Sequence, residues 1–275
     1  MSRANIDAYF ERIGFSGSIA PTLETLQQLH ALHPAAIPFE NLDPLLGVPV
    51  RLELKSLEQK LLFDRRGGYC FEHNLLFKAL LEDLDFPVKG LAARVYWGHE
   101  ETEETEERPL SHIALLVDVG GTSYLADVGF GAHTPTTPLR LRADVEQSTP
   151  FGTYRLVGGS PDWRLEIAVE DSWKLLYRFD LEEKNLADYQ VMNDLTSADS
   201  TFSAHLNVAR IEKGRKLALR DTAFRLYPLD GPAESRELTS LAELRETLAG
   251  PFGIALPAGE RLDQVLQAIL DQAAA

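Results

Sequence analysis

The chain has 275 residues, 44% of them hydrophobic and 25% charged, which supports a sizeable core and argues against a disordered chain. A formal net charge of −15 argues against nucleic acid as a partner, since that affinity comes mainly from Lys and Arg on phosphates. The single cysteine excludes an internal disulfide framework and thiolate-rich metal sites, and it suits a reducing compartment. The opening Met1-Ser2-Arg3-Ala4-Asn5 lacks the basic-then-apolar plan of a signal peptide, and no run of about 18 apolar residues follows. The expectation is a cytoplasmic protein with no membrane partner.

Ile6, Tyr9, Phe10 and Ile13 fall at helical spacing, which predicts a helix over 5–14 closed by Gly14. A second helix follows Pro21, with Leu23, Leu26, Leu29 and Leu32 on one face and an expected stop before Pro34. Residues 37–45 read as an irregular, Pro-punctuated stretch. Ser56 and Gln59 form a capping-box pattern for a short helix through Leu62. Gly67-Gly68 suggests a sharply bending loop that delivers Cys70 to the start of a helix running to about Asp83. The partial positive charge of a helix start favours thiolate. From Pro87 strand signals take over: 88–97, 112–119, 122–128, 154–157, 163–170 and 173–180. An acidic segment over 99–108 reads as a solvated loop. A helix over 186–196, a strand pair over 205–211 and 216–226, and helices over 240–249 and 261–274 complete the chain. The resulting expectation is an α+β protein: a helical part over 1–85, an antiparallel β part over 86–190 and an α/β part over 191–275.

A lone cysteine is commonly just a small buried hydrophobe. As a nucleophile it needs a histidine in reach and a carboxylate to orient that histidine. His73 lies three residues beyond Cys70, but no carboxylate is placed to orient it. His30, His33 and His99 read as surface or capping residues. His112 is different. With Gly120-Gly121 at the centre of a hairpin, Ala114 faces Asp127 and His112 faces Gly129, so His112 and Asp127 are diagonal neighbours on one face. Cys70, His112 and Asp127 thus supply nucleophile, base and orienting acid. Gly129, without a side chain, leaves room opposite His112.

The block Arg66-Gly67-Gly68-Tyr69-Cys70-Phe71-Glu72-His73-Asn74 resembles the active-site signature of the arylamine N-acetyltransferases. Three further blocks resemble the same family and follow its order: Ile37-Pro38-Phe39-Glu40-Asn41-Leu42, the strand from His112, and Asp127-Val128-Gly129-Phe130-Gly131. The resemblance covers essentially the whole chain. It implies a helical first domain, a β-barrel second domain, an α/β lid and a papain-like arrangement of the cysteine triad. It also implies acetyl-coenzyme A as acyl donor, an aromatic amine, hydrazine or hydroxylamine as acceptor, no metal, and a ping-pong course through acetyl-cysteine. Cys70, His112 and Asp127 carry over as the triad. Phe39, Phe130 and Phe202 carry over to the acceptor pocket, and Val95 and Gly129 to the acyl site. Arg65, Arg140, Arg142, Lys213, Arg215 and Lys216 are candidate counter-charges for coenzyme phosphates, each otherwise an exposed surface charge. Glu40 and Arg66 are expected as a structural ion pair. A macrolactam-forming amide synthase of the same fold and a papain- or transglutaminase-like cysteine hydrolase are the alternatives.

Overall fold

The computed structural model describes residues 3–99 and 108–274. Most of the acidic segment, which the sequence reads as a solvated loop, lies outside the described residues. Helix α1 spans Ile6–Ile13, capped by the Asn5 side chain and ended by Gly14 in the left-handed region. Helix α2 spans Leu23–Ala36 and runs through Pro34 instead of stopping before it. Pro34 has no N–H to donate to the His30 carbonyl, and the helix continues only two residues beyond it. Ile37 N–H still closes that turn on the His33 carbonyl at 2.9 Å. After the short strand β1, Phe39–Glu40, comes helix α3, Leu42–Leu46.

Helix α4, Leu54–Leu57, opens two residues before Ser56, so the expected capping box does not form. It widens directly into a π-helix over Glu58–Phe63. The wider turn keeps Leu61 and Leu62 buried while Lys60 reaches Asp43 at 2.6 Å and Glu72 at 2.7 Å. Helix α5, Cys70–Asp83, is the central element of this part. One apolar cluster joins α1, α2, the α4 region and α5 to Ile113, Leu115 and Val117.

The middle of the chain forms an eight-stranded antiparallel sheet. Its strands are β2, Val88–Val95; β3, Leu110–Val119; β4, Thr122–Ala126; β5, Leu139–Arg140; β6, Glu146–Thr149; β7, Gly152–Gly159; β8, Asp162–Val169; and β9, Ser172–Glu183. The spatial order is β5-β4-β3-β2-β9-β8-β7-β6. It curls into a nearly closed barrel around Leu91, Leu125, Leu156, Leu165 and Tyr177. The gap between the end strands is spanned by a side chain. Gln147 accepts from Arg140 N–H at 2.7 Å and donates to Arg140 C=O at 3.0 Å, completing the backbone pairing a further strand would make.

Helix α6, Leu186–Ala198, packs Tyr189 and Met192 into the first cluster, and the short helix α7, Ser200–Ser203, follows. A second sheet has the order β1-β10-β11-β12-β13, with β10, Asn207–Glu212; β11, Arg215–Arg220; β12, Ala223–Pro228; and β13, Glu234–Glu237. The strand expected over 216–226 is therefore two strands. Asp221 adopts a left-handed conformation (φ 52°) and reverses the chain. Helices α8, Leu241–Ala249, and α9, Glu260–Ala273, cover one face of this sheet through Leu217, Leu219, Leu248 and Leu266. No helix among the described residues is long and apolar enough to cross a membrane.

Candidate active site

Cys70 is the first residue of α5 and is 7% exposed. Gly67 and Gly68 are not sharp-bend residues. They are required by close approach: a Cβ at Gly67 would lie 2.2 Å from the Pro38 carbonyl, and one at Gly68 would lie 2.7 Å from the Glu72 carboxylate. The loop is paired with β1, since Glu40 N–H donates to Gly68 C=O at 2.7 Å. Glu72 Oε2 accepts from Tyr69 N–H at 3.0 Å and so caps the helix.

Two braces hold this helix start. The first is ionic. Arg66 donates to Glu40 at 2.8 Å and to Asp43 at 2.8 Å, which is the expected ion pair enlarged by Asp43, Lys60 and Glu72. The second is a buried chain of neutral rings. Tyr9 hydroxyl bonds His33 Nδ1, His33 Nε2 meets His73 Nδ1 at 2.7 Å, and His73 Nε2 donates to Gly68 C=O at 3.0 Å. His33 and His73, with neighbouring His30, are fully buried, so the surface or capping reading of His30 and His33 is wrong. Burial lowers both His30 and His73 to about 4 and keeps them uncharged.

The hairpin pairs as its Gly-Gly centre predicts, with Leu115 opposite Ala126 and Val119 opposite Thr122. His112 Nε2 lies 2.7 Å from Asp127 Oδ2, leaving Nδ1 as the ring nitrogen not committed to the carboxylate. Asp127 Oδ1 accepts from Asn74 Nδ2 at 2.9 Å and from Gly129 N–H at 2.9 Å. Burial opposes the charged carboxylate, but His112 and these donors outweigh it and hold Asp127 below its ordinary range. The Cys70 thiol donates to Ser111 C=O at 3.7 Å, one residue from His112, so this sulfur and the histidine's strand meet. Burial, followed by the charge of Asp127, pushes the Cys70 thiol up, while the N–H groups of Phe71 and Ile113 pull the other way. A helix start alone therefore does not make a thiolate here; a proton acceptor is needed.

Gly129 has a different purpose from the one expected. A Cβ there would lie 3.0 Å from Cys70 Cα and 3.1 Å from His73 Cβ, so its bareness lets the strand end lie against α5. Phe130 packs edge-on against His112 at 4.9 Å, and Phe39 stacks on His73 at 6.3 Å. Phe202 lies 5.4 Å from the Tyr69 ring, with its carbonyl held by Asn41 at 3.0 Å. All three phenylalanines are half-buried. Val95, also half-buried, pairs across the sheet with Tyr177, whose ring is 5.0 Å from His112.

Three contributors escaped the sequence reading. Asn74 binds Ile113 C=O, Asp127 and Val128 N–H together, and its position one turn after Cys70 was the available signal. His30 Nε2 accepts from the backbone N–H of Asp127 at 3.1 Å across 97 residues, and Tyr177 comes from β9; no local spacing announces either. A cleft of about 530 Å³ lined by Tyr96, Pro161, Asp162 and Arg178 includes none of the three candidate catalytic residues. Among the described residues no cluster of three or more His, Cys, Asp or Glu is arranged to hold a metal.

The family model described as N-acetyltransferase matches residues 22–261. The chain belongs to the arylamine N-acetyltransferase family. It is 40% identical to the arylamine N-acetyltransferase of Escherichia coli K12 over 253 residues, which is 90% of this chain and 88% of that one. Among solved structures, the Salmonella typhimurium arylamine N-acetyltransferase superposes with a TM-score of 0.89 at 36% identity, covering 98% of this chain and 100% of that one. The Mycobacterium marinum arylamine N-acetyltransferase in complex with CoA gives 0.91 at 34% identity, covering 96% and 99%. The chain is thus an acyltransferase, with the helical, barrel and α/β lid architecture of these relatives.

Proposed function

We propose that this enzyme carries an acetyl group from acetyl-coenzyme A to an aromatic amine, hydrazine or hydroxylamine by way of an acetyl-Cys70 intermediate. The observation that carries this reading is the buried His112–Asp127 pair on the strand whose Ser111 carbonyl the Cys70 thiol touches. His112 takes the thiol proton, and Asp127 stabilises the imidazolium that results. The transfer moves a proton within a buried group of constant net charge, which burial penalises less than creating an isolated thiolate. The thiolate attacks the thioester carbonyl. The N–H groups of Phe71 and Ile113, both placed to interact with the sulfur, are the candidate donors to the tetrahedral oxyanion. Coenzyme A departs as its thiol with the proton from His112.

The amine then attacks acetyl-Cys70, His112 accepts its proton, and the cysteine thiolate leaves. An aryl amine is largely neutral at pH 7 and needs apolar walls more than a carboxylate, and Phe39, Phe130 and Phe202 supply them. Val95 and Gly129 border the acetyl group in this reading. Catalysis requires no metal, and the helical, barrel and lid parts correspond to 1–85, 86–190 and 191–275. Intact-mass analysis after incubation with acetyl-coenzyme A tests the proposal. The wild type should gain one acetyl group and Cys70→Ala none. A folded wild type that stays unmodified would sink it, as would a sequential rate law in steady-state kinetics.

A further inference from the structure

Of the six basic residues marked as candidate counter-charges, five are exposed and Lys216 is not: it is 8% exposed. Its neighbours Leu217 and Leu219 face α8 and α9, so alternation along β11 turns Lys216 to the opposite face of the sheet. Phe39 lies on that same face, because Phe39 pairs with Ala209, Ala209 with Ala218, and Lys216 lies two residues before Ala218 on β11. Two strand spacings and two residues separate their Cα atoms, which is about 12 Å.

The ammonium of Lys216 sits 4.7 Å over the ring of Tyr227. No carboxylate, carbonyl or hydroxyl among the described residues takes a hydrogen bond from it. Burial lowers its pKa with no neighbouring carboxylate to offset the effect. The side chain is largely buried, yet its ammonium has no ionic partner among the described residues, so a positive charge is held here for an anion to meet. A second unpartnered group stands close by. His133 ends the single 3-10 turn that follows Phe130, and its Nδ1 is buried without a hydrogen bond. The turn packs against β10 and β11, the strand that carries Lys216, and burial together with the charge of Lys216 lowers His133 to about 4. Trp97 packs on the His133 ring at 4.0 Å. The place thus offers an unneutralised ammonium, a free ring nitrogen and aromatic walls, on the sheet face that leads to Phe39.

We propose that Lys216, assisted by His133, binds an anionic group carried by a substrate, either the carboxylate of an acidic arylamine or a phosphate of coenzyme A. This rests on the acetyl-transfer reading, and it places a positive subsite inside a protein of net charge −15. Such a subsite selects by charge, where the phenylalanine walls select by shape.

The test compares wild type with Lys216→Met, which keeps the length of the chain, and Lys216→Arg, which keeps the charge. Acceptors are 4-aminobenzoate and its methyl ester; donors are acetyl-coenzyme A and p-nitrophenyl acetate, which has no phosphate. Loss of one charge-assisted contact should raise KM about tenfold for the anionic partner with kcat little changed, and Lys216→Arg should restore most of it. A rise confined to 4-aminobenzoate with both donors assigns the acceptor carboxylate. A rise confined to acetyl-coenzyme A assigns the phosphate. Unchanged KM for all four compounds in folded Lys216→Met overturns the proposal. Should Lys216→Met fail to fold, His133→Phe should weaken the same partner, and no weakening there overturns it equally. Calorimetric titration of benzoate and coenzyme A into each protein gives a readout that does not depend on turnover. Anion binding lost in Lys216→Met would stand even if no acetyl-enzyme formed, so the two readings fail separately.

Discussion

Two histidine–aspartate pairs in this molecule have the same nitrogen–oxygen distance of 2.7 Å, and each joins residues about fifteen apart across a turn. His112–Asp127 is almost fully buried, with side chains 2% and 0% exposed; His205–Asp221 is 40% and 25% exposed. In the first pair the aspartate also receives Asn74 and Gly129, its backbone rests on His30, and a thiol lies beside the histidine's strand. In the second, Asp221 spends its other oxygen on Leu206 N–H and shapes the turn that splits the lid strands. Bond length does not separate the pair proposed to be reactive from the one that shapes a turn. The difference lies in the exclusion of water, which strengthens each interaction, and in what stands next to the histidine.

The comparison breaks most sharply at Cys70, the proposed nucleophile. Cys70→Ala should abolish acetyl transfer while leaving the melting temperature within a few degrees, as read by scanning calorimetry. Asp127→Asn should cost roughly 10³–10⁴ in kcat, because an amide can neither hold the ring orientation nor stabilise the imidazolium. The matching Asp221→Asn should leave kcat within about twofold; a large loss there would mean that the exposed pair takes part after all. The environment can be read through acid stability. His30 and His73 sit near 4 in the fold against 6.5 when exposed to solvent, so the unfolded chain takes up protons first. Stability should therefore fall as pH drops from 6.5 toward 4, by roughly 3 kcal/mol per imidazole, in urea titrations across that range. His30→Phe should flatten that slope. At pH 7 it should cost about 1–3 kcal/mol, since the Asp127 N–H loses its acceptor. The smallest effect belongs to Asp221→Asn, about 1 kcal/mol or less of stability, as befits a half-exposed pair.

What could be read beforehand was local. The register of the β3–β4 hairpin followed from Gly120-Gly121, and with it the meeting of His112 and Asp127. The cysteine at a helix start was equally plain. What escaped was contributed from far along the chain or hidden by helical context. His30 and His33 on a helix seemed to be surface residues because their partners, Asp127 and His73, lie 97 and 40 residues away. The π-turn at Glu58–Phe63 carries Lys60, whose partners Asp43 and Glu72 lie outside it, so no local propensity announces it. Asp221 shows the same limit from the other side. It reads as a strand residue by its neighbours and becomes a turn through its bonds to His205 and Leu206.

Strand β1 belongs to two structures at once. Phe39 and Glu40 are the edge of the lid sheet through Ala209 and Val208, and Glu40 is also bonded to Gly68, two residues before Cys70. The lid is therefore laced to the reaction centre by its own backbone. Swinging it away would pull on the loop that aims the sulfur, so each opening would disarm the enzyme. On the acetyl-transfer reading proposed above, substrates would then exchange without a large movement of this sheet between cycles.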